Sequence, residues 1–423
     1  MRAGYGRAEL TPPLGTELVG YGYYLWRRSV RVADPLYARA VYLEDGETRY
    51  VIVSCDLLGL SREVAQKVRE GMAALGLPPD QLMLVSIHTH TGPGTIYHEG
   101  CGEVSPEYAQ TVPKRILEAI REAVADADEV TGLFRGMEDI PEGLIYNRSN
   151  KEGFLDRSVR AIRITRREKQ ALLLVSLGCH AVCSGVSADI SADFPGAFVR
   201  EAERTGCRAI FLNGLCGDVD PVRENTSGER LRETLGRAVF AHAGTSYAMP
   251  LTLRCGKMAH TLRLTKVDRE AIRLSADQAV ERAGGEGAGA ARVARLWEQD
   301  MLARLDHLAF IEDIRIPFLL LGDTLLIALP VEGFGKIGDI VRKCLGRPDT
   351  MVLGCAEQLL GYLPTEDDMR RGAYAALEST YLYRRLPYAP GEAERLGAAI
   401  GDGLEAWIEE DEMDESAHGI SGK

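Results

Sequence analysis

Short apolar runs alternate with amphipathic helical patterns along most of the chain, and this alternation limits the folds that it can adopt. The runs 49–58 and 81–90 are typical of buried strands, and the patterns at 61–76 and 106–127 predict amphipathic helices. Ser61 stands just before the first of these helices, where a helix N-cap is expected. Strands that are followed by helices indicate a sheet covered by helical layers.

The rest of the chain adds a hairpin and a helical segment to this pattern. Two apolar runs within 158–180 are separated by the polar sequence REKQ, which predicts a β-hairpin. Residues 266–309 are helical in pattern, with a glycine-rich break at 284–291 between two helices. Hairpins together with strand–helix units predict the fold class α/β, with a mixed β-sheet core and flanking helices.

The chain has no internal repeat and no convincing linker, so a single composite domain is expected. We place this domain at residues 1–410. The remaining residues, 411–423, are acidic and polar, and their composition predicts a disordered tail.

Composition excludes several functional classes. The 423 residues carry 50 Lys and Arg against 62 Asp and Glu, and the resulting net charge of −12 argues against a nucleic-acid partner. The sequence contains no apolar run long enough for a transmembrane segment. The N-terminus lacks the apolar core of a secretory signal, and nine cysteines without CxxC pairs are typical of a reducing compartment, so a cytoplasmic protein is expected.

The sequence VSIHTHTGPGT places two of the eight histidines, His88 and His90, at the end of an apolar run. In a strand these side chains would project from the same face, and the following Gly-Pro-Gly would turn the backbone away. Two imidazoles side by side are compatible with a metal site. They are equally compatible with a pair of surface or capped histidines.

Two further residues favour the metal site. His180 ends a second apolar run, and Glu332 follows a third. Taken singly, such a histidine is more often a hydrogen-bonded structural residue, and such a glutamate can simply support the first turn of a helix. Together, two strand-end histidine positions and a carboxylate match the mixed nitrogen and oxygen ligands of catalytic zinc sites.

An ordered set of motifs resembles the neutral/alkaline ceramidases, which are zinc-dependent amidases that cleave the acyl amide of ceramide. The motifs are GYGRAELTPP, LYARAVYLEDG, VSCDLL, HTHTGPG, YNRSN, GDVDP, PVEGF and the segment around Tyr362. They extend from about residue 3 to about residue 385, and HTHTGPG is the most specific of them. The resemblance implies a catalytic domain that hydrolyses a linear amide bond in a small-molecule or lipid-like N-acyl substrate.

The resemblance also implies roles for individual residues. It implies one zinc ion per chain, with ligands at His88, His180, Glu332 and Tyr362. The residues implied to stabilise the substrate oxygen are His90, Arg148 and Tyr374. The acidic positions that would orient the histidines are Asp56, Asp193 and Asp218, although turn or cap chemistry would explain these three equally well.

Three departures from the ceramidase pattern bear on the substrate. Asp220 in GDVDP stands where the family has a serine. We also expect no signal sequence and no C-terminal β-sandwich domain of the kind that the family has. A zinc site would not need the serine, because the attacking group is then a water rather than a hydroxyl side chain. An esterase or lactonase on the same site, or a non-catalytic binding relative, are the alternatives.

Overall fold

The computed structural model describes residues 1–223 and 227–419, with residues 410–419 described by their backbone alone. Within these residues the strands are β1 (Arg2–Glu9), β2 (Arg31–Val32), β3 (Tyr37–Asp45), β4 (Thr48–Cys55), β5 (Leu82–Ser86), β6 (Asp128–Asp139), β7 (Ile145–Asn147), β8 (Ser158–Arg166), β9 (Leu172–Leu177), β10 (Asp189–Ile190), β11 (Arg208–Asn213), β12 (Val219–Pro221), β13 (Tyr247–Met249), β14 (Leu253–Arg263), β15 (Ile311–Leu321), β16 (Thr324–Ala328), β17 (Glu332–Gly333), β18 (Met351–Leu353) and β19 (Tyr362–Leu363).

The α-helices are α1 (Arg62–Ala74), α2 (Pro106–Ala125), α3 (Asp193–Arg204), α4 (Gly228–Ala241), α5 (Arg269–Arg282), α6 (Gly289–Ala303), α7 (Gly335–Leu345), α8 (Glu366–Arg370), α9 (Glu378–Leu382) and α10 (Glu392–Gly419). Two short 3-10 turns cover Leu305–His307 and Tyr374–Ala376.

The local predictions agree with these elements. Ser61 caps α1 by accepting a hydrogen bond from the backbone N–H of Val64. Strands β8 and β9 pair antiparallel on either side of the REKQ turn, as a hairpin requires. The glycine-rich break separates α5 from α6.

Two mixed sheets form the centre of the fold. The larger has the order β11-β9-β8-β6-β1-β3-β4-β5, with β13 beside β6, and the smaller has the order β14-β15-β16-β18. Most neighbours are antiparallel, whereas β4/β5, β9/β11 and β16/β18 are parallel. The prediction of a mixed α/β sheet with flanking helices is confirmed.

The buried side chains divide the molecule into four layers. One apolar cluster fills the space between the larger sheet and helices α1 to α4, and includes Val53 on the sheet side. The neighbouring residue Ile52 points to the opposite face, into a second cluster between the two sheets. A third cluster lies between the smaller sheet and helices α7 and α10. The order of layers is helix, sheet, sheet, helix, so both sheets bury both of their faces.

The last helix differs from the sequence expectation. Its backbone continues to Gly419 and so includes residues 411–419, for which a disordered tail was predicted. Glu, Met and Ala in this segment are good helix formers, and this propensity favours a helix in spite of the acidic composition. Residues 420–423 lie outside the described residues, and the division into a domain at 1–410 and a tail stays a prediction. No helix within the described ranges has the length and apolar content needed to cross a bilayer.

Candidate metal centre and active site

The ends of strands from both sheets deliver the candidate ligands to one place. His88 follows β5 and His180 follows β9 in the larger sheet, while Glu332 opens β17 just after β16 of the smaller sheet. Strand β17 pairs in parallel with β19, and this register sets Glu332 opposite Tyr362. The four residues that the motifs imply as metal ligands therefore lie together at one edge of the two packed sheets.

The backbone at His88 differs from the strand that the sequence predicts there. Strand β5 ends at Ser86, and His88 has a φ of +64°, in the left-handed region that non-glycine residues rarely adopt. His88 and His90 nevertheless lie together, with ring centroids 4.9 Å apart. Their proximity comes from this turn and not from strand alternation. A strained backbone at a ligand position is a common property of functional sites.

Hydrogen bonds to backbone carbonyls orient two of the histidines. His88 Nδ1 lies 2.7 Å from the carbonyl oxygen of Leu58, and His180 Nδ1 lies 2.7 Å from that of Cys216. Because Nδ1–H donates to a carbonyl in each case, the Nε2 lone pair is free for another partner. Both Nε2 atoms point at one oxygen, Glu332 Oε2, at 3.0 Å from His88 and 3.2 Å from His180.

This arrangement fits a divalent cation. Two imidazole nitrogens and a carboxylate oxygen converge, and all three side chains are buried. Arg148 Nη2 also lies 3.3 Å from His180 Nε2. The ligand nitrogens of His88, His90 and His180 also lie within 4.8 Å of one another. Burial disfavours the ionised Glu332 carboxyl, yet the adjoining His88 and His180 hold its pKa well below the ordinary value. The donor set is one that zinc accepts.

Two thiols lie beside the histidine cluster. Cys216 and Cys355 have their sulfurs 3.8 Å apart, and their sulfurs together with a ring nitrogen of His88 form a second group whose atoms lie within 4.8 Å of one another. All nine cysteines are described, and they are free thiols. Nothing in the spacing of these two cysteines distinguishes them in the sequence.

Tyr362 and Arg148 complete one side of the cluster. The Tyr362 hydroxyl lies 3.1 Å from His180 Nε2 and accepts a hydrogen bond of 2.8 Å from Arg148 Nη2. Arg148 also donates to the Gly217 carbonyl at 3.0 Å and pairs with Asp220 at 3.3 Å. The short ladder between β7 and β12 places Arg148 in this position. A fixed guanidinium therefore faces the candidate metal position.

His90 and Tyr374 lie on the open side of the cluster. Neither ring nitrogen of His90 has a hydrogen-bond partner among the described residues, although the side chain is buried. Burial, with smaller contributions from His88 and His180, lowers the pKa of His90 well below the usual value. The Tyr374 ring lies 6.0 Å from that of Tyr362 and is 42% exposed. Both side chains are free to contact a bound ligand.

The three aspartates, for which the sequence left two roles open, contact groups other than the histidine rings. Asp56 forms a buried ion pair with Arg39, and Asp193 accepts from backbone N–H groups at Cys183 and Ser184. Asp218 accepts from the Asn147 amide at 2.8 Å and from the backbone N–H of Gly335 at 2.9 Å. The histidines donate to carbonyls instead. Asp56, Asp193 and Asp218 therefore hold the loops around the site and do not contact the histidine rings.

Sequence reasoning missed two aromatic residues at the site. The Tyr383 hydroxyl donates a hydrogen bond to the second oxygen of Glu332, Oε1. The Tyr21 ring packs edge-on against His90 with ring centroids 5.1 Å apart. Both belong to tyrosine-rich stretches, GYGYY and TYLYRR, that are indistinguishable from ordinary packing segments in a single sequence.

Tyr383→Phe is expected to weaken metal binding by about 10- to 100-fold, because a hydrogen bond that orients a ligand carboxylate is lost. Competition with a chelator would measure the affinity. Tyr381→Phe is a matched control, since its hydroxyl bonds to Ser275 away from the site. Equal losses in the two variants would show that Tyr383 has no special relation to Glu332.

A cavity of about 510 Å³ opens next to the cluster. Its volume lies within the range for small-molecule sites. Four of the residues that the sequence predicts for the site line this cavity, namely His90, Arg148, Tyr362 and Tyr374. A larger cavity of about 850 Å³, between residues 9–17 and 103–115, contains none of the nominated residues.

The mixed α/β fold of the chain is a neutral ceramidase-like fold. The chain superimposes on the crystal structure of neutral ceramidase from Pseudomonas aeruginosa with a TM-score of 0.75 and 17% sequence identity, over 97% of this chain and 74% of that one. A second structure, a ceramidase complexed with C2, gives a TM-score of 0.74 and 16% identity, over 97% and 75% of the two chains. No protein-family model and no curated protein matches the sequence.

Proposed function

We propose that the protein is a zinc-dependent hydrolase that cleaves the linear amide bond of an N-acyl compound. The observation that carries this proposal is the convergence of His88 Nε2, His180 Nε2 and Glu332 Oε2 beside a cavity lined by unpartnered His90. The ceramidase-like fold supports the reaction class, since the similar solved structures are of ceramidases.

The proposed ligands are His88, His180 and Glu332, with Tyr362 alongside, for one zinc ion per chain. When bound, zinc supplies Lewis acidity and lowers the pKa of a water to about 7. The protein's part is to fix the ligands. The Leu58 and Cys216 carbonyls set the imidazole orientation, and Tyr383 holds the far oxygen of Glu332.

The side chains on the open face would stabilise the substrate oxygen. As negative charge gathers on the amide oxygen, His90 is placed to donate a hydrogen bond from a ring nitrogen that has no other partner. Arg148 and Tyr374 are further donors on the cavity wall. Each such donor is worth about 3 kcal/mol of transition-state stabilisation in well-studied hydrolases. His90 is also our candidate for accepting a proton from the attacking water and passing it to the leaving amine.

The proposal also accounts for Asp220. Its carboxylate pairs with Arg148 at 3.3 Å, which is a positioning contact and not the geometry of a nucleophile. With a metal-activated water as the attacking group, no serine hydroxyl would be required at this position. An N-acyl substrate, lipid-like or smaller, is compatible with the cavity, and an ester or lactone with the same acyl group would be open to the same attack.

Metal analysis and a substrate screen test the proposed function. We expect purified protein to contain about one zinc per chain and to hydrolyse members of a series of N-acyl amides of varied chain length. Matched esters in the same screen would reveal an esterase. Activity that persists in Glu332→Ala would contradict the proposal, as would protein that binds a ligand from the screen and turns none over.

Asp220→Asn is expected to lower turnover by less than about tenfold, because a partly exposed ion pair contributes little. Turnover of the best substrate from the screen is the measurement, with Glu332→Ala as the inactive reference. If Asp220→Asn were as inactive as Glu332→Ala while zinc stayed bound, Asp220 would have to be a catalytic group.

A further inference from the structure

A cavity lies beside the candidate metal centre. When the candidate metal ligands are left out, the side chains that line this cavity carry more positive than negative charge. Its basic side chains are Arg148 and Arg223, and its acidic side chain is Asp220. Arg148 and Asp220 form an ion pair with each other. Among the described residues that line the cavity, the charge left without an opposite partner is therefore that of Arg223.

Arg223 is held at the wall by its neighbours. Its Nη2 donates to the Tyr21 hydroxyl at 3.3 Å. Gly185 has a φ of +66°, and a Cβ at that position would come within 2.9 Å of Arg223 Nη1. The glycine thus lets the guanidinium lie close against the backbone. Within the described residues, no carboxylate forms an ion pair with Arg223, and the side chain is exposed to solvent.

Tyr21 links Arg223 to the reacting end of the cavity. Its ring packs against His90, and its hydroxyl meets Arg223, so one tyrosine ring separates the two side chains. A substrate whose amide lies at His90 would extend along Tyr21 and bring a group several bonds away to the guanidinium. A neutral group there would leave Arg223 without a charged partner. A carboxylate would match its planar pair of donors.

Resting on the proposed function, we infer that the substrate is an N-acyl compound that carries a carboxylate on a short spacer from the scissile amide. Arg223 is then a specificity-determining residue that binds this carboxylate. Arg148, which Asp220 already neutralises, faces the amide instead.

The test compares carboxylate probes with neutral isosteres. The probes are N-acyl glycine, N-acyl β-alanine and N-acyl 4-aminobutyrate, each paired with its terminal carboxamide. Binding by calorimetry and turnover would be measured on zinc-loaded protein. The variants are Arg223→Gln, Arg223→Lys and the control Arg121→Gln, which removes the same charge from the exposed face of α2.

We expect at least one carboxylate probe to bind roughly five- to tenfold more tightly than its carboxamide, as a charge-assisted hydrogen bond at a partly solvated site allows. Arg223→Gln should abolish this preference, Arg223→Lys should keep part of it, and Arg121→Gln should leave it unchanged. Added salt should weaken the preference.

The outcomes separate the two proposals. Equal binding of every carboxylate and carboxamide pair by the unmodified protein would overturn the inference, even if both were hydrolysed. A preference that survives in Arg223→Gln would overturn it as well. A carboxylate preference that depends on Arg223 without any turnover would uphold the inference and contradict the amidase proposal.

Discussion

His88→Ala is expected to remove the metal and to lower turnover by more than about a thousandfold, because the activated water is lost with the ion. His88 Nε2 lies 3.0 Å from Glu332 Oε2 and its Nδ1 is fixed by the Leu58 carbonyl, so the substitution removes a ligand whose orientation is set by the fold. Zinc content by mass spectrometry and turnover would be measured on the same preparations.

His90→Ala is the matched comparison for this prediction. His90 has no hydrogen-bond partner among the described residues and lines the cavity, so its loss should leave the zinc bound and lower turnover by about 10²- to 10³-fold. Equal loss of zinc in the two variants would show that our division between ligand and oxygen-stabilising residue is wrong.

Asp56→Ala is expected to lower the free energy of unfolding by about 3–5 kcal/mol, because it leaves the Arg39 guanidinium buried without its partner. The Arg39 side chain is 7% exposed and the Asp56 side chain 2% exposed. The shortest distance between a guanidinium nitrogen and a carboxylate oxygen of the pair is 2.6 Å. The Tyr37 backbone N–H would lose its acceptor as well. Chemical denaturation monitored by circular dichroism would measure the change.

Asp189→Ala provides the control for the stability prediction. Asp189 pairs with Arg31 at 2.5 Å, but the arginine is 67% exposed, and such surface pairs contribute less than about 1 kcal/mol. Similar losses of stability in the two variants would contradict the claim that burial makes the Arg39–Asp56 pair important. Loss of activity in Asp56→Ala without loss of stability would instead give Asp56 a direct role at the site.

Local signals in the sequence predicted the local structure well. The Ser61 cap, the REKQ hairpin and the break between α5 and α6 depend on residues close in the chain, and all three are confirmed. The order of strands was not predicted. Strand β1 pairs with both β3 and β6, and the pairing with β6 joins residues more than 120 positions apart, which no local pattern encodes.

The candidate site was likewise predictable only in part. The motifs nominated His88, His180, Glu332 and Tyr362, and the structure brings these side chains together, while their roles remain predictions. The groups that orient the histidines are the carbonyls of Leu58 and Cys216, and every residue has a carbonyl. Aspartates were predicted to orient the histidines because a sequence distinguishes residues only by their side chains, and backbone carbonyls are the same at every position. Tyr383 was missed for a similar reason, since its contact with Glu332 depends on how α9 packs.

The two sheets contribute different candidate ligands, and this division has a consequence for folding. His88 and His180 follow strands of the larger sheet, whereas Glu332 follows a strand of the smaller one. The complete ligand set can therefore exist only after the two sheets have docked across their shared apolar layer. A metal ion bound there would act as a cross-link between the layers, and would stabilise the docked state over any state with the sheets apart. In a refolding experiment, the capture of the metal would consequently report the docking of the two sheets.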